Sequence, residues 1–138
     1  MVTPILDREW RRAQECLGAA SLCRDHGFHA DAVSRAYYVI MHAAKAALAY
    51  CIATRVEAGE DVLPQSHDGV MNRFGLRLVN SGDVDRIWAA VLREMYQKRI
   101  LADYDVSTSL TENDSREAVE RATSFLTRMQ LLWGGAQA

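Results

Sequence analysis

Apolar positions along this chain recur at three- and four-residue steps, and nowhere do they alternate over a strand's length, so the pattern predicts helices and no sheet. The dominant segment is Asp31 to Ala53 (DAVSRAYYVIMHAAKAALAYCIA), which contains neither Gly nor Pro. Val33, Tyr37, Ile40, Ala44, Ala47, Leu48 and Cys51 share one helical face, and eight of its residues are alanine. Small side chains let neighbouring helices approach near the short end of the usual ~8–10 Å range. The segment is therefore predicted to lie inside a bundle. A polar line crosses it: Arg35, Tyr38 and His42, at i, i+3 and i+7, stand beside one another.

The remaining elements follow from the same pattern. Thr3 is positioned to cap a first helix that has Pro4 in its first turn. Leu6, Trp10, Ala13, Leu17 and Ala20 form its core stripe, and His26-Gly27 closes it. A short link, Phe28–Ala30, then makes an antiparallel hairpin with the central helix, on which Asp31 and Arg35 are spaced to pair. Thr54 to Gln65 (TRVEAGEDVLPQ) reads as a long loop. Ser66 caps a shorter helix with Val70, Phe74 and Leu78 on its core face, ending at Asn80-Ser81-Gly82. Asp83 is read as the cap of a fourth helix with Val84, Ile87, Trp88, Val91 and Met95 inward. Arg93, Tyr96, Lys98 and Arg99 occupy its C-terminal turns, where positive charge suits the helix dipole. Ala102 to Leu110 (ADYDVSTSL) is too polar and β-branched to prolong that helix. Thr111-x-x-Asp114 resembles a capping box. A last helix carries Ala118, Ala122, Phe125, Met129 and Leu132, and stops at Gly134-Gly135. The expectation is an all-α bundle of about five helices forming one domain over residues 1–138.

Composition narrows the classes. A chain of 138 residues can bury roughly two-thirds of the surface that it exposes unfolded. With 49% hydrophobic and 25% charged residues it has the profile of a soluble globule. Net charge is −2, so no global basic field drives nucleic-acid binding, and any such contact has to be local. Arg35, His42 and Lys45 interrupt the one apolar run that approaches membrane-spanning length. The start, MVTPILDREWRR, lacks the apolar core of a signal peptide. Together these give no membrane association and a cytoplasmic location as the expectation. Of the three cysteines, Cys16 and Cys23 are separated by about 10 Å of helical rise, too far to bridge. Reduced thiols are expected. No C-x-x-C or paired His/Cys spacing is present, so no metal and no cofactor are implied.

Two polar constellations remain. Arg35, Tyr38 and His42 on the central helix form either a satisfied structural network, a solvated face, or part of a site. Arg99-Ile-Leu-Ala-Asp103-Tyr104-Asp105 is either a helix terminus followed by an acidic turn, or a second part of that site. His67, directly after a capping serine, reads as a first-turn surface residue. Cys51, on an apolar face, reads as core.

The block Ser34–Leu48 (SRAYYVIMHAAKAAL), then Ser66–Gly75 (SHDGVMNRFG), then R-x-x-A-D-Y-D at Arg99–Asp105, resembles the HEPN domain family, and most of all its small stand-alone bacterial and archaeal members. The likeness covers nearly the whole chain in the same order. It implies an up-and-down helical bundle that pairs as a homodimer. It also implies either a metal-independent ribonuclease or a protein encoded beside a minimal nucleotidyltransferase as a toxin–antitoxin pair. The family's catalytic signature is an Arg followed, after four to six residues, by His. Arg99 matches the Arg, but Tyr104 stands where His is expected. Metal-independent RNA cleavage needs a base for the 2′-OH and an acid for the leaving oxygen, roles that imidazole fills near neutral pH. A phenol with an ordinary pKa near ~10 is a poor base, though it donates a hydrogen bond. Some members also carry a Tyr, two residues after the His, that the partner adenylylates; Val106 occupies that position here.

Three readings follow. Arg99 and Tyr104 are the candidate catalytic pair of an active or weakened ribonuclease toxin. Alternatively, Arg35, Tyr38, His42, Arg93, Tyr96, Lys98 and Asp103 join Arg99 in holding RNA or a nucleotide without cleaving it, or the chain is the partner subunit of a nucleotidyltransferase. The third is a structural dimer. The replacement of His by Tyr104 favours binding, and cations mixed with aromatics suit phosphate contact with base stacking. A homodimer is expected through the central helix and the helix ending at Arg99, with Arg35, Tyr38 and His42 facing the same cleft as Arg99.

Overall fold

Helix starts and stops are where local chemistry is easiest to check against the structure, a computed structural model that describes residues 3–134. Thr3 caps α1 (Pro4–Asp25): its hydroxyl accepts from the Leu6 amide at 3.1 Å. At the far end, the Phe28 amide donates to the Cys23 carbonyl at 2.8 Å and the Gly27 amide to Arg24 at 3.2 Å. This is a Schellman motif, and it needs the left-handed φ of +80° that Gly27 supplies. The turn is tight enough that α2 (His29–Thr54) begins two residues before the predicted Asp31. α1 and α2 then pack along each other more extensively than any other pair of elements.

α3 (His67–Phe74) is capped by Ser66, whose hydroxyl accepts from the Gly69 amide at 3.0 Å. A Cβ at Gly69 would sit 3.0 Å from both Pro64 Cβ and Ser66 Oγ, so the loop before α3 folds back onto a position that only glycine fills without displacement. The helix continues as a π turn, Gly75–Val79, that the repeat of Val70, Phe74 and Leu78 did not announce. α5 (Glu112–Gln130) opens with the predicted capping box: the Thr111 hydroxyl accepts from the Asp114 amide at 3.2 Å, and the Asp114 carboxylate from the Thr111 amide at 2.8 Å. It ends in a short 3-10 turn, Leu131–Trp133, at Gly134; Gly135 lies outside the described residues.

α4 (Ile87–Tyr104) departs from the sequence reading at both ends. Asp83 does not cap it, because the Asp83 carboxylate is engaged by Arg55 and Ser81. Arg86 stands at the cap position without a side-chain bond, and Asp85 just before it accepts from the Ile87 amide through Oδ1 at 2.9 Å. Ile87, expected inward, is 59% exposed, and Leu92 is buried instead. The helix also runs on past Arg99 to Tyr104. What stops it is Asp105, whose carboxylate accepts from the Ser107 amide at 3.0 Å and the Thr108 hydroxyl at 2.9 Å, setting a turn just beyond the helix. The predicted pairing of Asp31 with Arg35 is not among the ion pairs of the described residues. The loop after α2 holds a short 3-10 turn, Val56–Ala58, with Ala58 buried, and its Asp61 accepts from Arg77 at 2.8 Å.

The described residues therefore form an all-α bundle of five helices in the predicted order, with no strand among them. α2 is its axis, in contact with α1, α4 and α5, and its buried residues run from Ala32 to Cys51. By length and composition α2 would suit a membrane span, yet most of the relevant window is buried among the other helices. The apolar face of α2 is thus covered within a single chain. α4 is the less covered helix, with Leu92 and Met95 as its fully buried residues and Ile87, Leu101 and Tyr104 exposed.

Phe125 and Phe74 stack at 5.9 Å in the centre of the core, both fully buried. Phe125→Ala is expected to lower unfolding stability by about 3–5 kcal/mol. Urea denaturation followed by far-UV circular dichroism measures it, and a loss no larger than that of an exposed substitution would contradict this core.

Candidate functional site

Four helices contribute to one polar seam. From α2 come Tyr38, His42 and Lys45, which continue the line begun by Arg35. α1 adds Glu9, α3 adds His67, and α4 adds Tyr96 and Arg99. A cleft of about 320 Å³ is lined by Tyr38, His42, Lys45, His67, Tyr96 and Arg99. Next to it, sharing Tyr38 and His42, lies a second cleft of about 450 Å³ that includes Arg12, Arg35 and Asp103.

Arg99 sits among aromatic rings. Its guanidinium carbon is 5.5 Å from the ring centres of Tyr38 and Tyr104 and 6.0 Å from that of Tyr37, within cation–π range. The side chain is 18% exposed, and Nε lies 2.9 Å from Asp103 Oδ2. The two charges attract, but the Nε–H does not point along the line to the carboxylate, and this buried donor has no hydrogen-bond acceptor. A guanidinium cannot shed its charge to escape that condition. Arg99 is thus a fixed cation at the edge of a cleft, its Nε enclosed beside Asp103, not the dipole-favoured terminal residue that its sequence position suggested.

The two imidazoles are each held from behind. His42 Nδ1 donates to Glu9 Oε2 at 2.8 Å, and Glu9 Oε1 stands 3.5 Å from the Lys45 ammonium. Lys45, 7% exposed, also donates to Gln65 Oε1 at 3.1 Å. Burial by itself would raise the Glu9 carboxyl pKa, but the His42 hydrogen bond and the Lys45 charge outweigh it and hold the group below its ordinary value. His67 is not the surface residue expected from sequence. Its ring stacks on Tyr96 at 3.8 Å and 13°, and its Nδ1 lies 3.0 Å from the Tyr37 hydroxyl. The phenol donates to Nδ1 or accepts from Nδ1–H according to the tautomer. Burial raises the Tyr37 pKa, so the phenol keeps its proton, and burial lowers that of His67, so the imidazole stays neutral.

Of the residues singled out from sequence, Tyr38, His42, Tyr96 and Arg99 come together around one cleft, and Arg35 and Asp103 line its neighbour. Tyr104, 69% exposed, covers one side of Arg99. Arg93 and Lys98 are not brought in: Arg93 is exposed, and Lys98 turns towards Glu117 of α5 at 3.9 Å. Residues on neighbouring helical positions point a hundred degrees apart, so a cluster in sequence is split across faces. Sequence reading missed Glu9, Lys45 and His67. Lys45 had a signal, since it extends the 35-38-42 line by three residues. Glu9 had none beyond being a polar residue beside Trp10.

A profile of the HEPN domain matches residues 7–132. A candidate toxin of Methanocaldococcus jannaschii is 33% identical over 86% of this chain and 81% of its own length. A UPF0332 protein of Pyrococcus horikoshii is 36% identical over 63% of this chain and 55% of its own length. A UPF0332 protein of Thermotoga maritima is 25% identical over 88% of this chain and 86% of its own length.

The depressed pKa of His67 has a stability consequence of definite sign. Below the ordinary imidazole value of 6.5 the unfolded chain takes up this proton more readily than the fold does, so stability rises with pH there. Acidification from 6.5 through the lower folded pKa should therefore destabilise the protein before the carboxylates titrate. Urea midpoints measured across this range for wild type and His67→Gln test it: the variant should show the flatter profile, and equal slopes would contradict the burial of a neutral imidazole.

Proposed function

We propose, from the premise that this chain belongs to the HEPN domain family, that it is the RNA- or nucleotide-binding component of a toxin-type system, with Arg99 as the phosphate anchor. The observation that carries this reading is the Arg99 guanidinium: four-fifths buried, flanked by Tyr38 and Tyr104, held at Nε beside Asp103, and lining a cleft. A guanidinium gives a phosphate oxygen charge-assisted bonds, and an unstacked base suits the neighbouring ring faces. Tyr104 occupies the position at which the family signature implies His, and its mostly exposed ring covers one side of Arg99. The likeness to a candidate toxin supports the biological setting, for which a minimal nucleotidyltransferase is the partner that the family resemblance implies.

We infer a homodimer in which α4 forms the exposed part of the interface expected at the central helix and the helix carrying Arg99. Exposed Ile87, Leu101 and Tyr104 lie on α4, and exposed Val106 follows it. A two-fold pairing there would bring two Arg99 clefts near each other.

Two measurements test this. Fluorescence anisotropy with a short single-stranded RNA should show that Arg99→Ala weakens binding by roughly tenfold or more, the worth of a charge-assisted hydrogen bond of about 1.5–3 kcal/mol. The slope of log affinity against log salt should become shallower by about 0.7, one phosphate contact on a single strand. Unchanged affinity and slope would remove Arg99 from the interface. Sedimentation equilibrium should give a mass near twice 15.5 kDa, and Leu101→Glu should shift it towards the single chain; a monomer throughout would overturn the α4 interface.

A further inference from the structure

One ring face of Tyr96 in this cleft is already taken. His67 lies almost flat on it, the ring centres 3.8 Å apart and the planes 13° from parallel. Every other aromatic pair among the described residues is 5.1 Å apart or more. A nucleobase stacks on a protein ring in this flat manner, so His67 stands where a base would stand.

The hold on that ring is one-ended. The far end of α3 and the π turn after it are anchored by Val70, Phe74 and Leu78, all fully buried, and Arg77 reaches Asp61 of the preceding loop at 2.8 Å. The first turn has no such anchor, and Gln65, Ser66 and Asp68 around His67 are exposed. It is tied across the cleft by the Tyr96 stack, by the Tyr37 hydroxyl 3.0 Å from His67 Nδ1, and by the bond from Lys45 to Gln65 at 3.1 Å. None of these ties is an ion pair or a core contact.

The two imidazoles of the cleft also differ in what meets a charge. Glu9 backs His42 at 2.8 Å, whereas His67 has no carboxylate in hydrogen-bond contact. From α2 it faces Tyr37, and across the cleft Tyr38, His42 and Lys45; from α4 it faces Tyr96 and Arg99. Lys45 and Arg99 already stand beside Glu9 and Asp103, so neither carboxylate is left over for an imidazolium. Asp68 attracts such a charge from the solvent side and the Tyr96 face attracts it from below, but burial outweighs Asp68 and keeps the ring neutral.

We propose that the first turn of α3 is a plug for this cleft: the His67 ring occupies the place on Tyr96 of a ligand's planar base, and protonation of His67 releases it. At neutral pH the chain stacks on itself. In mild acid the charged ring turns out to water, and the face of Tyr96 is freed three residues from Arg99 on the same side of α4, so base and phosphate are met together. What enters the cleft rests on the binding reading above; the release is a property of the chain alone. An open state with the ordinary imidazole value of 6.5 gains at most about tenfold over a closed, neutral one when the pH is one unit lower.

The test uses the full chain at about pH 7.5 and about pH 5.5, on either side of the ordinary imidazole value, at constant ionic strength. Without ligand, hydrogen exchange read by mass spectrometry and corrected for its intrinsic pH dependence should show residues 63–70 opening more in acid than α2 does, with the helical circular dichroism spectrum unchanged. His67→Phe keeps a flat ring and takes no proton, so it should abolish that change. With a short single-stranded RNA as probe, wild type should bind up to about tenfold tighter at the lower pH. His67→Phe should bind weakly at both, and His67→Ala should bind at the higher pH as tightly as wild type does at the lower. An abasic oligomer of the same length should show no such gain. Exchange in residues 63–70 that ignores pH, or responds equally in His67→Phe, overturns the plug and leaves the binding reading standing. So does an equal gain for the abasic oligomer, or His67→Ala binding no better than wild type at the higher pH, because the imidazolium then acts as a ligand. Exchange that responds to pH through His67, with no RNA bound by any variant, upholds the plug and overturns the binding reading.

Discussion

A lysine ammonium in the middle of a core helix is tolerated only if its charge is met, and in this fold Glu9 meets it. Lys45 is buried on α2, 3.5 Å from the Glu9 carboxylate and 3.1 Å from the Gln65 amide oxygen. The same carboxylate accepts from His42. Three segments are therefore tied at one point: α1 through Glu9, α2 through its polar line, and the loop before α3 through Gln65. Deleting one partner of such a pair strands the other charge in a poorly solvated place, which costs several kcal/mol, more than the intact pair contributes. Such an arrangement fixes the register of α1 along α2 more sharply than alanine packing could, since an alanine face offers few distinctive contacts.

From this register the cleft follows. The alanines of α2 let its neighbours approach closely, and the remaining space, walled by long and aromatic side chains, lies where the polar line passes between α1, α3 and α4. Lys45 and Arg99 line it, each with a carboxylate beside it, Glu9 at 3.5 Å and Asp103 at 2.9 Å. The seam is thus a set of paired charges rather than a basic patch, in keeping with a net charge of −2 for the chain.

Helix number, order and caps were legible in the sequence because each is written in a few adjacent residues: Thr3 with Pro4, Gly27, Ser66, and Thr111 with Asp114. The start of α4 was misread because two aspartates, Asp83 and Asp85, stand near it, and the choice between them is made by Arg55, a residue from a distant loop. The end of α4 was misread because Ala102 to Tyr104 resemble turn sequence until Asp105 shows where the turn begins. At the site, the spacing of Arg35, Tyr38 and His42 predicted a shared face correctly. Lys98 and Arg93 were misplaced because sequence neighbours on a helix diverge around it. His67 and Glu9 carried no local sign of burial; what buries His67 is the ring of Tyr96, and what engages Glu9 is His42, both contacts that only the assembled bundle creates.

The hairpin of α1 and α2, closed by its Schellman turn, consists of contacts between neighbours in sequence, and such contacts form early. Everything that completes the cleft from α4 lies much further along the chain. At ~5–20 residues per second, synthesis needs roughly two to nine seconds to pass from the end of α2 to Arg99. During that interval a chain still on the ribosome can present His42, Lys45 and Glu9 in their final order with no arginine opposite them. The cleft as a whole is therefore completed only once α4 has emerged and packed against α2.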